Sequence, residues 1–239
     1  MSLNTFMRRL VSRRVLSPRK RVSRSARLGF EELENRCLLT DFVVGSSTCD
    51  KAWLSLFTQI NKANVNPGLD RIVFQIQAEC AVDGIYTLKP EFAIQITDPL
   101  TIDGTTQAGF SEGHPVIELD GSQAGPNFAG LEFHVGGNLV KGLIIHSFPG
   151  PGIVLDDSGL TEPLPSPGSP KGGSIIVGNF IGTDASGKVP KGNDAGILLV
   201  DSPNNTIGGK TEAERNIISG NRDSGIFLDG GLSTGQLVQ

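Results

Sequence analysis

The sequence predicts an all-β chain, wound into a solenoid of parallel strands that one α-helix precedes and caps. A glycine followed by alternating apolar residues recurs, beginning at Gly130, Gly152, Gly196 and Gly225. The chain has 31 glycines among 239 residues without a collagen triplet, and this indicates many tight turns. No apolar run approaches the roughly 18 residues of a membrane-spanning helix, so we expect no membrane span.

The charge of the chain is unevenly distributed. Residues 1–40 contain ten of the 21 basic and three of the 25 acidic residues, so their net charge is +7 and that of the remainder is −11. This split predicts a basic, largely disordered leader over residues 1–41. The acidic remainder has no basic stripe with aromatic residues for base stacking, so we expect no nucleic-acid partner.

Residues 42–95 are predicted to form an N-terminal cap with a helix over about residues 50–65. Four apolar residues recur there at helical spacing: Trp53, Leu56, Phe57 and Ile60. Thr48 or Asp50 is the expected N-cap, and the Asn66-Pro67-Gly68 turn ends the helix. A helix before a repeat array covers the apolar end of the first turn; the alternative is a helix that binds a partner.

Short strands bounded by Gly, Pro or Asp follow the helix. They are predicted at residues 72–76, 86–88, 100–104 and 116–121, before the glycine repeat begins. The glycine copies are 22, 44 and 29 residues apart, and 44 is twice 22. A turn of about 22 residues, extended by loops, predicts on the order of six turns over residues 96–239.

The apolar residues of the repeat are predicted to stack inside the coil in columns of like residues. Ile153, Ile197 and Ile226 form one column, and Leu155, Leu199 and Leu228 form the other. Gly152, Gly196 and Gly225 precede these strands, and we expect a sharp corner there, often at positive φ.

A second phrase, Ile-Ile-x-Gly-Asn, occurs twice and ends in Asn179 and Asn221. The matched context predicts that these two residues occupy equivalent positions in an asparagine ladder between turns. The alternative is that each is an ordinary turn asparagine, because Asn tolerates left-handed backbone conformations. Residues 157–173 and 182–195 are rich in Pro, Gly and polar residues, and both are predicted to be loops that project from the body.

From about residue 97 onward the chain resembles the right-handed parallel β-helix repeat family, which has a pectin-lyase-like fold. The phrases that carry the resemblance are residues 98–107, 178–184 and 205–209. Residues 49–74 are similar to the CSLREA-type segment that precedes such repeats. The Leu-Glu-x-Arg-x-Leu-Leu core at residues 33–39 resembles the LEPR-XLL leader of large exported bacterial proteins, with Asn35 in place of proline. This resemblance implies an extracellular or cell-surface location.

The three cysteines are Cys37, Cys49 and Cys80. Cys49 and Cys80 flank the first structured block and form a disulfide if the protein is exported. The alternative is that all three are small apolar side chains or free thiols. No Cys-x-x-Cys pair or His/Cys cluster indicates zinc, and no cofactor is expected.

The residues with catalytic chemistry form no recognisable signature. The candidate acids are Asp156, Asp157, Asp184, Asp194, Asp201, Asp223 and Asp229, and Arg222 lies beside one of them. Acidic residues at solenoid turns are usually solvated corners. His114, His134 and His146 are scattered, and a surface position is the default for each. His134 follows Glu132 by two residues, and this pair would offer a metal ion only two ligands. No Ser/His/Asp arrangement is recognisable.

These observations favour an exported or cell-surface structural and binding module, for polysaccharide or for adhesion, rather than an enzyme. The alternative is a polysaccharide lyase or glycoside hydrolase with a divergent site, and only the lyase would need Ca²⁺. After the last copy at Gly225 no polar cap follows. We therefore expect the array to continue beyond Gln239, or a partner to close it.

Overall fold

The computed structural model describes residues 39–45, 48–66, 68–159 and 170–239. Residues 1–38, which include most of the predicted leader, most of its LEPR-XLL-like segment and Cys37, lie outside these ranges. The described residues form one α-helix, α1 (Ala52–Ala63). They also form seventeen strands, which are in chain order β1 (Thr40–Val44), β2 (Asp70–Phe74), β3 (Tyr86–Leu88), β4 (Gln95–Ile96), β5 (Leu100–Asp103), β6 (Ile117–Asp120), β7 (Leu131–Phe133), β8 (Leu139–Lys141), β9 (Leu143–His146), β10 (Ile153–Asp156), β11 (Ile175–Val177), β12 (Phe180–Ile181), β13 (Ile197–Val200), β14 (Thr206–Ile207), β15 (Ile217–Ile218), β16 (Ile226–Asp229) and β17 (Leu237–Val238).

The strands form three parallel sheets that the chain visits in a fixed rotation. Sheet A has the order β1-β2-β5-β8-β11-β14-β17, sheet B has β3-β6-β9-β12-β15, and sheet C has β4-β7-β10-β13-β16. From β2 onward, each passage through sheets A, B and C is one turn. Every pairing between these strands is parallel, so successive turns lie directly beside one another. The prediction of a strand-rich chain with parallel strands and one α-helix is confirmed.

The predicted number of turns is wrong. β10 pairs directly with β13, with Ile153 opposite Ile197, so the 44-residue spacing is one turn and not two. Two long connections lengthen that turn. Residues 100–239 contain four complete turns and β17, fewer than the six expected. A further complete turn, β2 to β4, ends at Ile96, so the three sheets run across the predicted boundary between cap and repeats.

The predicted apolar columns are confirmed. Ile153, Ile197 and Ile226 are register partners in sheet C, and the leucines two residues later form the second column. Side chains alternate between the two faces of a strand, so both columns face the same side. Ile153 and Ile197 are fully buried, whereas Leu228 at the edge of sheet C is 47% exposed. The core therefore consists of stacked aliphatic side chains.

Two of the three glycines before these strands are required, for a reason other than the one predicted. None of Gly152, Gly196 and Gly225 has positive φ. A Cβ atom on Gly152 would lie 2.9 Å from the carbonyl oxygen of Gly196, and one on Gly196 would overlap the carbonyl oxygen of Gly225. Gly152 and Gly196 are therefore needed because adjacent turns approach too closely at this corner for a side chain, whereas a Cβ atom on Gly225, on the edge strand, would have its nearest neighbour at 3.6 Å.

Asparagines do form ladders between turns, but Asn179 and Asn221 belong to different ladders. Asn179 follows sheet A, and its backbone N–H donates to Asn216 Oδ1 at 2.9 Å. Asn221 follows sheet B, and its Oδ1 accepts the Nδ2–H of Asn193 at 3.1 Å. The two copies of Ile-Ile-x-Gly-Asn thus lie on different sheets, because the phrase specifies a local turn and not one particular corner.

A third ladder occupies the corner before sheet A. Asn138 Oδ1 accepts the backbone N–H of Leu100 at 3.0 Å, and Asn205 Oδ1 accepts that of Ser174 at 2.8 Å. Asn138, Asn179, Asn193 and Asn205 are all buried. Buried amides that are fully paired at every corner hold successive turns in register.

The helix α1 packs on the first strands with Leu56 and Ile60 buried. A short 3₁₀ turn, Cys49–Lys51, leads into the helix, and Thr48 is the N-cap residue of this turn, but its side chain makes no capping hydrogen bond. Lys51, and not Asp50, is the N-cap residue of α1 itself. Cys49 is bonded to Cys80 in a disulfide, with 5.0 Å between the Cα atoms. The disulfide ties the start of the helix to the connection between β2 and β3.

Candidate functional site

The acids that sequence reasoning singled out lie at separate turns and do not form one site. Asp156 and Asp157, at the end of β10, are both buried. Asp156 Oδ1 accepts the backbone N–H of Ser158, and Asp157 Oδ2 accepts that of Gly172, each at 3.0 Å. Burial raises the pKa of Asp157. This pair therefore orders the chain on the two sides of residues 160–169, which lie outside the described ranges.

The remaining acids also serve turns. Asp184 accepts backbone hydrogen bonds within its own loop, Asp201 accepts the N–H of Leu232, and Asp229 accepts that of Gly230. Asp194 and Asp223 are joined through their backbone. The guanidinium of Arg222 donates to the carbonyl oxygen of Phe148 at 2.6 Å. The side-chain contacts of Asp184, Asp201 and Asp229 therefore stabilise turns.

Two of the three histidines are buried, so the expectation of a surface position is wrong for them. His134 and His146 are 2% and 1% exposed, whereas His114 is exposed. His134 Nε2 lies 3.7 Å from Glu132 Oε1, and the described residues contain no group of three or more side chains that could hold a metal ion. His146 is different, because several polar side chains surround it.

The His146 cluster lies on the outer face of sheet B. β6 and β9 pair in parallel with Asp120 opposite His146. Ile117 and Leu119 face the core, so Glu118 and Asp120 point outward on β6, and His146 points outward at the end of β9. The register between these strands brings together residues that are far apart in sequence.

A continuous chain of hydrogen bonds runs through the cluster. Ser147 Oγ lies 2.9 Å from His146 Nδ1, and His146 Nε2 lies 2.7 Å from Glu118 Oε1. The hydroxyl of Thr87 donates to the other oxygen of Glu118 at 2.6 Å. Lys191 Nζ lies 3.6 Å from Glu118 Oε1. Both oxygens of the buried carboxylate therefore have partners.

The cluster keeps Glu118 ionised. Burial alone raises the pKa of Glu118, but the hydrogen bonds from His146 and Thr87, together with the charges of His146 and Lys191, lower it to about 2. An ionised carboxylate accepts hydrogen bonds and cannot donate one. The proton between Glu118 and His146 is therefore held on His146 Nε2.

The loop at residues 182–195 covers this face rather than projecting from the body as predicted. Ser147 donates its backbone N–H to the carbonyl oxygen of Lys191 at 3.0 Å, and Thr183 and Pro190 form an antiparallel bridge across the loop. Ser147 has φ of +61°, an uncommon conformation for a residue with a side chain. It is partly exposed, whereas its partner His146 is buried.

A groove of about 450 Å³ lies on the outer face of sheet A. Its floor is formed by Leu139, Ile175 and Val177 on paired strands, and Ile175 is 42% exposed. The groove is also lined by Phe110, Glu112, Ala213 and Glu214. Another groove, of about 470 Å³, lies beside the Cys49–Cys80 disulfide and Trp53.

The charges around the sheet A groove are mostly negative. Lys141 lines the groove, but its Nζ is paired with Asp103 Oδ2 at 2.9 Å. Hydrogen bonds from Thr211 lower the pKa of Glu214, which is therefore ionised at neutral pH, and Glu112 is exposed nearby. The groove thus has an apolar floor and an acidic rim.

No family model matches the chain, and neither a curated protein nor a solved structure matches it. Across the described residues, no helix has the length and apolar character needed to cross a membrane.

Sequence reasoning missed the groups that the sheet register assembles. Glu118, His146 and Lys191 belong to three different turns, and nothing in their local sequence indicates that they meet. The one available signal was the pair His146-Ser147 at a strand end. Whether this pair belongs to a site depends on which strand pairs with β9, and the repeat in the sequence does not reveal that the partner is β6.

Proposed function

We propose that the protein is a right-handed parallel β-helix, exported to the cell surface, that binds a neutral glycan chain along the outer face of sheet A. The rotation of the chain through three parallel sheets supports this fold. Connections between parallel strands are right-handed in almost all proteins, which supports the hand. The resemblance of the repeat phrases to the pectin-lyase-like family agrees with it.

Export is supported by two observations of different kinds. The leader at residues 33–39 resembles LEPR-XLL, and Cys49 and Cys80 are joined in a disulfide. Disulfides persist in oxidising compartments and are rare in the cytosol. We propose an extracellular or cell-surface location on these grounds.

The observation that carries glycan binding is the groove on sheet A. Ligand sites of roughly 300–1,000 Å³ combine an apolar floor with a few polar groups. Leu139, Ile175 and Val177 offer an apolar surface for the C–H faces of sugar rings, and Glu112 and Glu214 offer acceptors for hydroxyl groups. The floor lies along stacked turns, which suits an extended chain rather than a compact ligand.

The charge of the groove favours a neutral polymer over an acidic one. Residues 41–239 carry a net charge of −11, and the lysine in the groove is neutralised by Asp103. A polyuronate would be repelled by Glu112 and Glu214. The lyase alternative needs a base and cations for a uronate substrate, and Arg222, its sequence candidate, is held by the backbone of Phe148. No observation favours that alternative.

The test compares two substitutions of exposed apolar residues. The variant Ile175→Asp places a charge on the floor of the groove, whereas Leu54→Asp changes a residue of α1 that is 45% exposed. Titration calorimetry with neutral gluco-, manno- and xylo-oligosaccharides and with oligogalacturonate measures binding. We expect at least one neutral series to bind, Ile175→Asp to weaken it at least tenfold, and Leu54→Asp to leave it unchanged.

Two outcomes would overturn the glycan proposal. One is that no neutral oligosaccharide binds. The other is that Ile175→Asp binds as well as the unmodified protein. Preferential binding of oligogalacturonate would contradict the charge argument, and its cleavage would restore the lyase alternative.

A further inference from the structure

We propose that Ser147, His146 and Glu118 form an acyl-transfer site that cleaves carboxylic esters, with Ser147 as the nucleophile. This site lies on sheet B, so it is separate from the groove on sheet A. The inference goes beyond the proposed glycan binding and does not depend on it. It rests on the chain of hydrogen bonds, on the position of Ser147 and on the burial of its partners.

The hydrogen-bond chain fixes the proton on one ring nitrogen. Ionised Glu118 accepts the Nε2–H of His146 at 2.7 Å, whether the imidazole is neutral or charged. In its neutral form this imidazole has a lone pair on Nδ1. Ser147 Oγ lies 2.9 Å from that Nδ1, so the hydroxyl donates to it when His146 is neutral. A serine, a histidine that serves as its base and an acid that orients the histidine are the three roles of a serine nucleophile site.

The two ring nitrogens have exchanged their usual roles. In the familiar triad the serine contacts Nε2 and the acid contacts Nδ1, whereas here Ser147 contacts Nδ1. The exchange follows from the sequence, because a serine directly after the histidine reaches the nitrogen nearer the backbone. The chemistry is retained, since either nitrogen is a base when the other carries the proton.

The reaction proceeds in two balanced steps. Ser147 Oγ attacks the ester carbonyl carbon while its proton passes to His146 Nδ1; the C–O bond to the alcohol breaks, and the alcohol leaves with that proton. Water then attacks the acyl-Ser147 carbonyl, gives a proton to Nδ1 and releases the carboxylic acid as Ser147 Oγ regains the proton. Glu118 stays ionised throughout and stabilises the imidazolium.

The surroundings of Ser147 fit this role. Its φ of +61° is an uncommon backbone conformation, and such conformations cluster at functional sites. Ser147 is partly exposed, while His146 is buried and protected from water.

A fluorophosphonate probe tests the nucleophile directly, because it labels serine hydroxyls that a neighbouring base activates. We expect the full-length protein to be labelled on Ser147, as located by peptide mass spectrometry, and to hydrolyse p-nitrophenyl acetate. The variant Ser147→Ala should lose both activities. The variant Ser111→Ala, which changes an exposed serine near His114, is the matched control and should keep both.

Three further variants distinguish a catalytic role from a structural one. His146→Gln should slow labelling at least 100-fold, the scale of general-base catalysis. Glu118→Gln should slow it as well, and Glu118→Asp, which keeps the charge, should restore part of the rate. Circular dichroism establishes that each variant is folded. The proposal is overturned if the unmodified protein is not labelled on Ser147, or if folded His146→Gln or Glu118→Gln is labelled at the unmodified rate.

Discussion

At the scale of single residues, close approach between turns explains Gly152 and Gly196. Their φ values are not positive, so a side chain is excluded by its neighbours and not by the backbone conformation. The sequence marks these positions clearly, but it does not show whether glycine is needed for a positive φ or for close approach of adjacent turns. Both requirements select glycine, and only the distance between adjacent turns distinguishes them.

The exclusion predicts a large cost for the smallest possible side chain. In Gly196→Ala the new methyl group would overlap the carbonyl oxygen of Gly225 and lie 2.7 Å from Ile218 Cγ2. We expect a loss of about 3 kcal/mol in the free energy of unfolding, measured by urea denaturation. Gly231→Ala is the control, because nothing lies within 4 Å of its added atom. Equal stability of the two variants would contradict the account of close approach.

At the scale of elements, local phrases predict strands well and their partners poorly. The glycine phrase correctly marks β10, β13 and β16, which are neighbours in sheet C. The phrase Ile-Ile-x-Gly-Asn marks β11 and β15, yet these lie on sheets A and B. A strand and its following turn are encoded within a few residues, whereas the sheet that receives them depends on how long each connection is.

The columns of sheet C predict unequal costs for the same substitution. Leu199 is fully buried between two turns, whereas Leu228 is 47% exposed in the same column. Because the cost of removing a side chain follows its burial, Leu199→Ala should lower the free energy of unfolding by about 3–4 kcal/mol and Leu228→Ala by about 1 kcal/mol. Urea denaturation of the two variants measures the difference. Equal losses would show that the column is buried to the same depth at both positions.

At the scale of the whole molecule, the general architecture was predictable and the candidate sites were not. Periodic apolar residues and frequent glycines suffice to predict stacked parallel strands. The cluster of Glu118, His146 and Lys191 requires the register of sheet B and the path of a loop across it. The groove of Ile175 also needs residues from connections between strands, among them Phe110, Glu112 and Glu214. Both depend on connections that interrupt the repeat.

The central claim is that successive turns lie directly beside one another in parallel. The outward residues Thr101, Leu139, Ile175, Thr206 and Leu237 are register partners across sheet A. In a Cys37→Ser background, nitroxide labels at Thr101 and at each of the others give four distances by electron paramagnetic resonance. We predict an increase of about 4.8 Å with each strand, reaching about 19 Å at Leu237. Distances that do not increase in this order, or a value beyond about 30 Å at Leu237, would contradict the claim.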